Sequence, residues 1–334
     1  MSASTLVIQT AFLGDVILTT PLLAALAAVH GPVDVVTTPV AAPLLETHAA
    51  VAKVIPYDKR GNDRGWSTLV EFARRLKAAG YSQAYLPHRS LRTAALAALA
   101  RIPSRIGFKG PWSFLYTVAR PKPRTGHETD RLLALANGAP GVYRPQLQPT
   151  GEDKAVVAAL IAEPFVALAP GSIWGSKRWP YYEQLAVRLA SDVAVIVVGG
   201  DDDAELGERI CRAVKGGNGR YHVVNACGKL TLRQSAALIG RARLLVTNDS
   251  APLHLATAMG TPVVALFGPT VTDFGFGPLR AGDVALGVEG LLCRPCSSHG
   301  PPSCPLGHHR CMRDLTVDTV TLAIEEMGAL RRRN

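Results

Sequence analysis

LLVTNDSAPLHLATAMGTPVVALFG, residues 244–268, reads as a strand, a polar turn, a helix and a second strand. Leu244, Leu245 and Val246 form an apolar run into Thr247-Asn248-Asp249-Ser250. Pro252 suits a first helical turn, and Asp249 or Ser250 ahead of it is good capping chemistry. Helical spacing then runs through His254 and Met259 to Gly260, and Thr261-Pro262 restarts a β-branched strand. Backbone N–H groups at such a helix start point out of the strand's carboxyl end, where open α/β sheets bind phosphate-bearing ligands. An ordinary capped helix explains the pattern as well, so function depends on what else converges there.

The same strand–loop–helix grammar recurs on both sides. Short apolar strands are expected at 6–9, 33–36 and 83–86, with a helix over 16–29. A second series has strands at 165–169, 193–198 and 244–246. The Pro- and Gly-containing stretch GAPGVYRPQLQPTGED, residues 138–153, reads as the linker between them, followed by a helix over 154–161. Alternating strands and helices mean parallel sheets with right-handed crossovers, here in two doubly wound halves. The last segment, 317–330, is an amphipathic helix running into Arg331-Arg332-Arg333, a basic end that suits a helix C-terminus.

Composition agrees. The 334 residues are 48% hydrophobic and 19% charged, and only 6% aromatic, as expected where Ala, Leu and Val pack helices on buried parallel strands. No apolar run reaches the roughly 20 residues of a bilayer span. Residues 16–29 resemble a signal peptide in hydropathy, but Asp15 and the lack of a basic lead fit a first βα unit better. The expected location is cytoplasmic. Residues 1–150 hold 17 Lys and Arg against 8 Asp and Glu, so +9 of the net +10 lies in the first half. That bias suits an anionic partner: nucleic acid, anionic lipid or a phosphorylated glycolipid. Arg89, Arg92, Arg105 and Lys109 are its densest part.

Four constellations are candidates for chemistry. Asp15 opens the first helix, where a carboxylate either caps the helix or serves as a general base. No GxGxxG follows the first strand, which argues against a nicotinamide enzyme. Residues 170–180, PGSIWGSKRWP, follow a strand; Ser172 and Lys177 there supply a hydroxyl and a cation for phosphate oxygens, without Walker A spacing. Asp201 in GGDDD follows another strand and is placed to accept from ribose hydroxyls or to stabilise a helix start. The fourth is the opening stretch, with Asp249, Ser250, Ala251 and His254 at a helix start.

Cys293, Cys296, Cys304 and Cys311 form C-x2-C-x7-C-x6-C. In a cytoplasmic protein this points to structural zinc before disulfides, although the later spacings are irregular. A zinc-ribbon nucleic-acid binder would use the same cysteines and the basic half, but it leaves Asp15 and the Lys177 loop unexplained.

GDVILTTPLLAAL at 14–26, PHRSLRTAALAALARIPSRIGFKG at 87–110, APGSIWGSKRWP at 169–180, TNDSAPLHLATAMGTPVVALFGPT at 247–270 and CRPCSSHGPPSCPLGHHRCMRDLTVDTV at 293–320 together resemble glycosyltransferase family 9. Its best-known members are the bacterial lipopolysaccharide heptosyltransferases, and the likeness is greatest to the heptosyltransferase II type. The resemblance implies a GT-B architecture, two Rossmann-like domains facing across a cleft. Residues 1–150 would take the acceptor, 151–312 the donor, and 313–334 would form a helix crossing back to the first domain. It implies inverting transfer of heptose from ADP-heptose to a phosphorylated lipid A inner core at the inner-membrane surface. Nucleic acid is not an expected partner, and no cofactor is expected in catalysis. Asp15 matches the base, Ser172 and Lys177 the phosphate loop, and Asp249 the donor-sugar site. Heptosyltransferase I or another family 9 transferase is the alternative.

Overall fold

A computed structural model describes residues 4–216 and 220–330, so the Arg331-Arg332-Arg333 run lies outside the described residues. The chain divides into two compact units, at Gln148/Pro149. In the first, β1 (Thr5–Ile8), α1 (Leu13–His30), β2 (Val33–Thr37), α2 (Ala42–Leu45), β3 (Val51–Pro56), α3 (Trp66–Ala78), β4 (Gln83–Leu86), α4 (Leu91–Leu99), β5 (Ser104–Phe108), β6 (Val118–Arg120) and α5 (Glu128–Leu133) follow in order. All its strand pairs are parallel, in the order β3-β2-β1-β4-β5-β6.

The second unit runs α6 (Gly151–Leu160), β7 (Phe165–Ala169), α7 (Tyr182–Leu189), β8 (Ala194–Val197), α8 (Ala204–Lys215), β9 (Val223–Asn225), α9 (Leu232–Arg241), β10 (Leu244–Asn248), α10 (Ala251–Met259), β11 (Val263–Leu266), β12 (Val284–Leu286), α11 (Arg310–Arg313) and α12 (Val317–Glu326). Its parallel sheet, β12-β11-β10-β7-β8-β9, has the same topology. Each unit therefore has the doubly wound order, with its strand sequence reversing between β1 and β4 and between β7 and β10. Ligands of such sheets bind at the carboxyl ends of those central strands.

The central strands are wholly buried: Leu6, Val7 and Ile8 in β1, and every residue of β7 and β10. Two-sided burial is why they read as unbroken apolar runs. The helix α1 has the length and composition to cross a membrane, contrary to the reading of the sequence. Here it buries Val16–Leu23, Ala25 and Leu26 in its own unit. Pro21 removes the N–H that the Ile17 carbonyl needs, and the Thr20 hydroxyl donates to that carbonyl instead, at 2.8 Å. The last helix also departs from expectation: the apolar face of α12, with Val320, Ala323 and Ile324, packs into the second unit's own core beside Leu185 and Met312. Amphipathicity announced a packing face but not which unit receives it.

Candidate active site

The second unit's reversal point gathers three loops. Asn248, at the end of β10, is fully buried and laces two of them. Its Nδ2 donates to the Pro170 carbonyl (2.8 Å), and its Oδ1 accepts from the Trp179 N–H (3.2 Å) and the Tyr182 hydroxyl (3.3 Å). This brackets residues 170–179 and turns Lys177 inward. The Lys177 ammonium meets the Asp249 carboxylate at 2.6 Å, and the Thr270 hydroxyl donates to the same oxygen at 2.6 Å. Lys177 and Asp249 are 7% and 8% exposed. A buried cation held this way costs desolvation, which its carboxylate offsets.

Around this pair, Ser172 is half-buried; its hydroxyl accepts from the Trp174 N–H (3.2 Å), and its carbonyl accepts from Arg178 (2.9 Å). Ser250 holds the N-cap position of α10, yet its hydroxyl turns back to the Asn248 carbonyl (3.4 Å) and makes no cap bond. Ala251 and Pro252 then begin the helix, and Gly260 ends it in the left-handed region, φ 74°. His254 lies one turn in, 6% exposed, with its ring edge-on to Phe276.

GGDDD differs from expectation. Asp201 is exposed and sits against Gly228, while Asp203 abuts Gly171 and Gly199, where neither glycine leaves room for a Cβ. Burial raises the Asp203 carboxyl above the usual range, opposed by the Gly200 N–H and the Arg178 charge. Asp203 is thus the acid that reaches the phosphate-type loop. The helical turn after Gly200 decides which of three consecutive carboxylates faces inward, and the residue types alone do not.

In the first unit, the Asp15 carboxylate accepts from the Phe12 N–H at 3.1 Å, so it caps α1. Of the basic residues, Arg92 is structural: it donates to the Tyr57 hydroxyl (2.6 Å), the Arg64 carbonyl (2.9 Å) and the Asp63 and Gly65 carbonyls. Arg105 likewise serves the Leu115 (2.7 Å) and Ile102 (2.6 Å) carbonyls. Arg92 corrects the expectation of an acceptor-binding arginine, because the Tyr57 hydroxyl and three carbonyls leave its guanidinium few donors for phosphate, whereas Arg105 engages only its Nε and one terminal nitrogen. Arg89 and Lys109 are exposed, and the Arg89 stem crosses Gly110.

Two residues the sequence reading missed join them. His88, just after β4, is pushed down to about 4 by burial and then by Lys59, Lys122 and Arg89. Burial, Arg60 and Arg92 lower the Lys59 pKa, and the Asp15 charge opposes them. Asp15, Lys59, His88 and Arg89 therefore share one electrostatic neighbourhood at the β1/β4 reversal point. The distance along the chain from 15 to 59 to 88 hid this grouping: β1 and β4 are neighbours in the sheet, but Lys59 follows the edge strand β3 and reaches them only through its loop.

The cysteines of 293–311 are all free thiols. Among the described residues, no group of three or more His, Cys, Asp or Glu stands ready to hold a metal ion.

The model of glycosyltransferase family 9 (heptosyltransferase) matches residues 69–303. The chain belongs to glycosyltransferase family 9. It is 28% identical to lipopolysaccharide heptosyltransferase 2 of Salmonella typhimurium, over 86% of this chain and 93% of that protein. The structure of E. coli ADP-heptose LPS heptosyltransferase II superposes with a TM-score of 0.79 and 25% identity, over 97% of this chain and 98% of the other. That of the family 9 glycosyl transferase from Veillonella parvula reaches 0.84 at 24% identity, over 98% and 97%. This family 9 protein is thus a glycosyltransferase with the α/β, GT-B-type fold of two doubly wound units. Its buried Lys177 meets Asp249 at the carboxyl end of β10, beside the start of α10.

Proposed function

We propose that this chain is an inverting transferase of the heptosyltransferase II type. It moves heptose from ADP-L-glycero-β-D-manno-heptose to the heptosyl-Kdo2-lipid A inner core. The observation that carries the reading is the Lys177–Asp249–Thr270 cluster at the β7/β10 reversal point, in a chain of this family.

The second unit takes the donor. Lys177 and the N–H groups opening α10 at Ala251 receive the diphosphate, with Ser172 and Ser250 as hydroxyl partners. As the glycosidic bond to the β-phosphate breaks, negative charge grows on ADP, and a fixed cation and helix dipole stabilise it without reorganising. The charge neutralisation rests on Lys177, so the catalytic step uses no metal. Asp249 holds Lys177 in place and borders the sugar, and His254 lies one turn beyond. Asp201 and Asp203 are the carboxylates on the ribose side.

The first unit takes the acceptor. Asp15 accepts the proton of the attacking hydroxyl as it adds to the anomeric carbon from the face opposite ADP, which inverts β to α. Its bond from the Phe12 N–H fixes the carboxylate while leaving lone pairs for that proton. Arg89 and Lys109 attract the phosphorylated inner core and the anionic inner-membrane surface from the cytoplasmic side.

Turnover with ADP-heptose against a panel of truncated core acceptors tests this. Heptosyl-Kdo2-lipid A should yield product, whereas Kdo2-lipid A should not. Preference for Kdo2-lipid A would make the chain a heptosyltransferase I, and ADP release without a new glycan would end the transferase reading.

A further inference from the structure

Three segments of the first unit leave large apolar side chains in solvent on one side of its sheet. Trp66 opens α3, Leu91 opens α4, and Phe114 sits in the turn Ser113–Leu115 after β5. Trp66 is 68% exposed, Phe114 74% and Leu91 37%. Trp66 continues the apolar stripe of Leu69, Ala73 and Leu76, but past the end of the core that those residues fill. Packing within the unit therefore leaves its indole without a partner surface.

The three segments are held side by side, with α4 packed between α3 and the turn. Arg92, in α4, donates to the Arg64 (2.9 Å) and Gly65 (3.2 Å) carbonyls, which lead into Trp66. On the other flank the Arg89 stem lies against Gly110, where a Cβ would stand 3.3 Å from its Cδ. The Ser113 N–H (3.1 Å) and hydroxyl (2.8 Å) both return to the Gly110 carbonyl, which keeps Phe114 close to that point. Trp112 packs on the core, and its ring meets that of Phe114 edge-on, with centroids 6.5 Å apart. The patch is thus formed as it stands.

Positive charge surrounds it. Residues 58–66, 89–92 and 109–116 hold six Lys and Arg against two carboxylates, Asp58 and Asp63. Both carboxylates are turned onto their own loop. Asp58 accepts from the Gly61 (2.9 Å) and Asn62 (3.1 Å) N–H groups, and Asp63 from the Asp58 N–H (2.8 Å). Arg60, Arg64, Arg89 and Lys109 are exposed. Single apolar residues on a surface need no explanation, whereas a cluster rimmed by charge marks an interaction site. Rings set among Lys and Arg match a bilayer, whose headgroup level favours Trp and whose anionic lipids attract cations.

We propose that Trp66, Leu91 and Phe114, with Arg60 and Arg64 beside them, form a docking surface that seats the first unit on an anionic lipid bilayer. Arg60 also lies over the Phe12 ring, 5.5 Å from its centroid, and the Phe12 N–H donates to Asp15. The surface therefore adjoins the proposed base, and a lipid-borne acceptor reaches Asp15 from the plane in which it is embedded. That delivery rests on the function proposed above; the docking does not.

The full chain is sedimented with acceptor-free vesicles, either phosphatidylethanolamine with phosphatidylglycerol or phosphatidylcholine alone. Binding to the anionic vesicles is expected, with a blue shift of tryptophan fluorescence, and much weaker binding to the neutral ones. Joint Trp66→Ser and Phe114→Ser should weaken vesicle binding about tenfold or more, through the apolar area withdrawn from the bilayer. Trp66→Phe should lose less. The double variant should melt like wild type, since both side chains are exposed, and should turn over a delipidated, water-soluble acceptor normally. Turnover of an acceptor embedded in anionic vesicles should fall. Wild-type vesicle affinity in the double variant, or equal affinity for the two vesicle types, would overturn the docking surface. So would a dimer in solution that the double variant abolishes, because the patch would then be an interface between copies of this chain. Unchanged turnover of embedded acceptor by a variant that no longer binds vesicles would overturn the delivery alone. Vesicle binding needs neither donor nor acceptor, so failure of the transferase reading would leave its result distinct.

Discussion

The Lys177 ammonium and the Asp249 carboxylate lie 2.6 Å apart, from loops after β7 and β10, with both side chains at most 10% exposed. Neither charge is free to move, and Thr270 fixes the carboxylate from a third loop. The pair does two things at once. It closes the reversal point, and it holds a cation where the leaving group is proposed to gain charge.

Removal of Lys177 therefore has two separable effects. Lys177→Met should weaken ADP binding by about 1.5–3 kcal/mol, the range for a charge-assisted bond. It should also destabilise the fold by about 3–5 kcal/mol, because Asp249 stays buried without its partner. Adding Asp249→Asn should recover part of the melting temperature and none of the ADP affinity. Calorimetry and thermal denaturation on the three proteins separate the two; recovery of ADP binding in the double variant would place Lys177 outside the phosphate site.

Asp15→Asn should lower turnover at least ~10²-fold, a typical share for a general base. Donor affinity should barely change. The amide oxygen still accepts from the Phe12 N–H, so the unfolding free energy should stay within about 1 kcal/mol of wild type. A folded variant with near-normal turnover would leave Asp15 as a cap alone.

His88 makes stability depend on pH. Its folded pKa, about 4, lies below the ordinary 6.5, so between these values the unfolded chain binds more protons than the folded one. The contribution is complete above pH 6.5 and is lost as pH falls toward 4. Its size is roughly 1–3 kcal/mol. His88→Asn should flatten the melting temperature across that window, whereas an unchanged slope would assign the acid sensitivity to other groups.

Much of this was legible beforehand, for a definite reason. The strands over Gln83–Leu86 and Phe165–Ala169 coincide with expectation because central parallel strands are buried on both faces and leave an unbroken apolar run. Edge strands leave no such mark: β3 has no fully buried residue, and β12 has two half-buried residues flanking an exposed Ala285. Lys177 and Asp249 were recognisable as separate loop residues, but their contact, 72 positions apart, needs the β7–β10 pairing. Arg92 and Arg105 show the limit most plainly. A count of charges sees two cations; the fold assigns both to carbonyls that reach them only once α4 and β5 are in place.

That assignment separates the basic residues into two classes with opposite phenotypes. Arg92→Ala should cost about 1.5–3 kcal/mol of stability, since several carbonyls lose a charged donor, and should leave the acceptor KM near wild type in whatever fraction stays folded. Arg89 and Lys109 are exposed, so neutralising both should leave the melting temperature alone and raise the acceptor KM, with the donor KM unchanged. Each contributes ~1 kcal/mol at most toward an anionic surface. The KM defect should shrink at high salt, because the Debye length falls from ~10 Å at 0.1 M to ~3 Å at 1 M and the wild type loses its own attraction. Dephosphorylated acceptor should show little difference between the two proteins at any salt. A salt series on wild type and the Arg89→Gln, Lys109→Gln variant, with phosphorylated and dephosphorylated acceptors, reads all of this. Equal acceptor KM values at low salt would mean that these two side chains are merely solvated, and that the excess positive charge of the first unit serves something other than the acceptor.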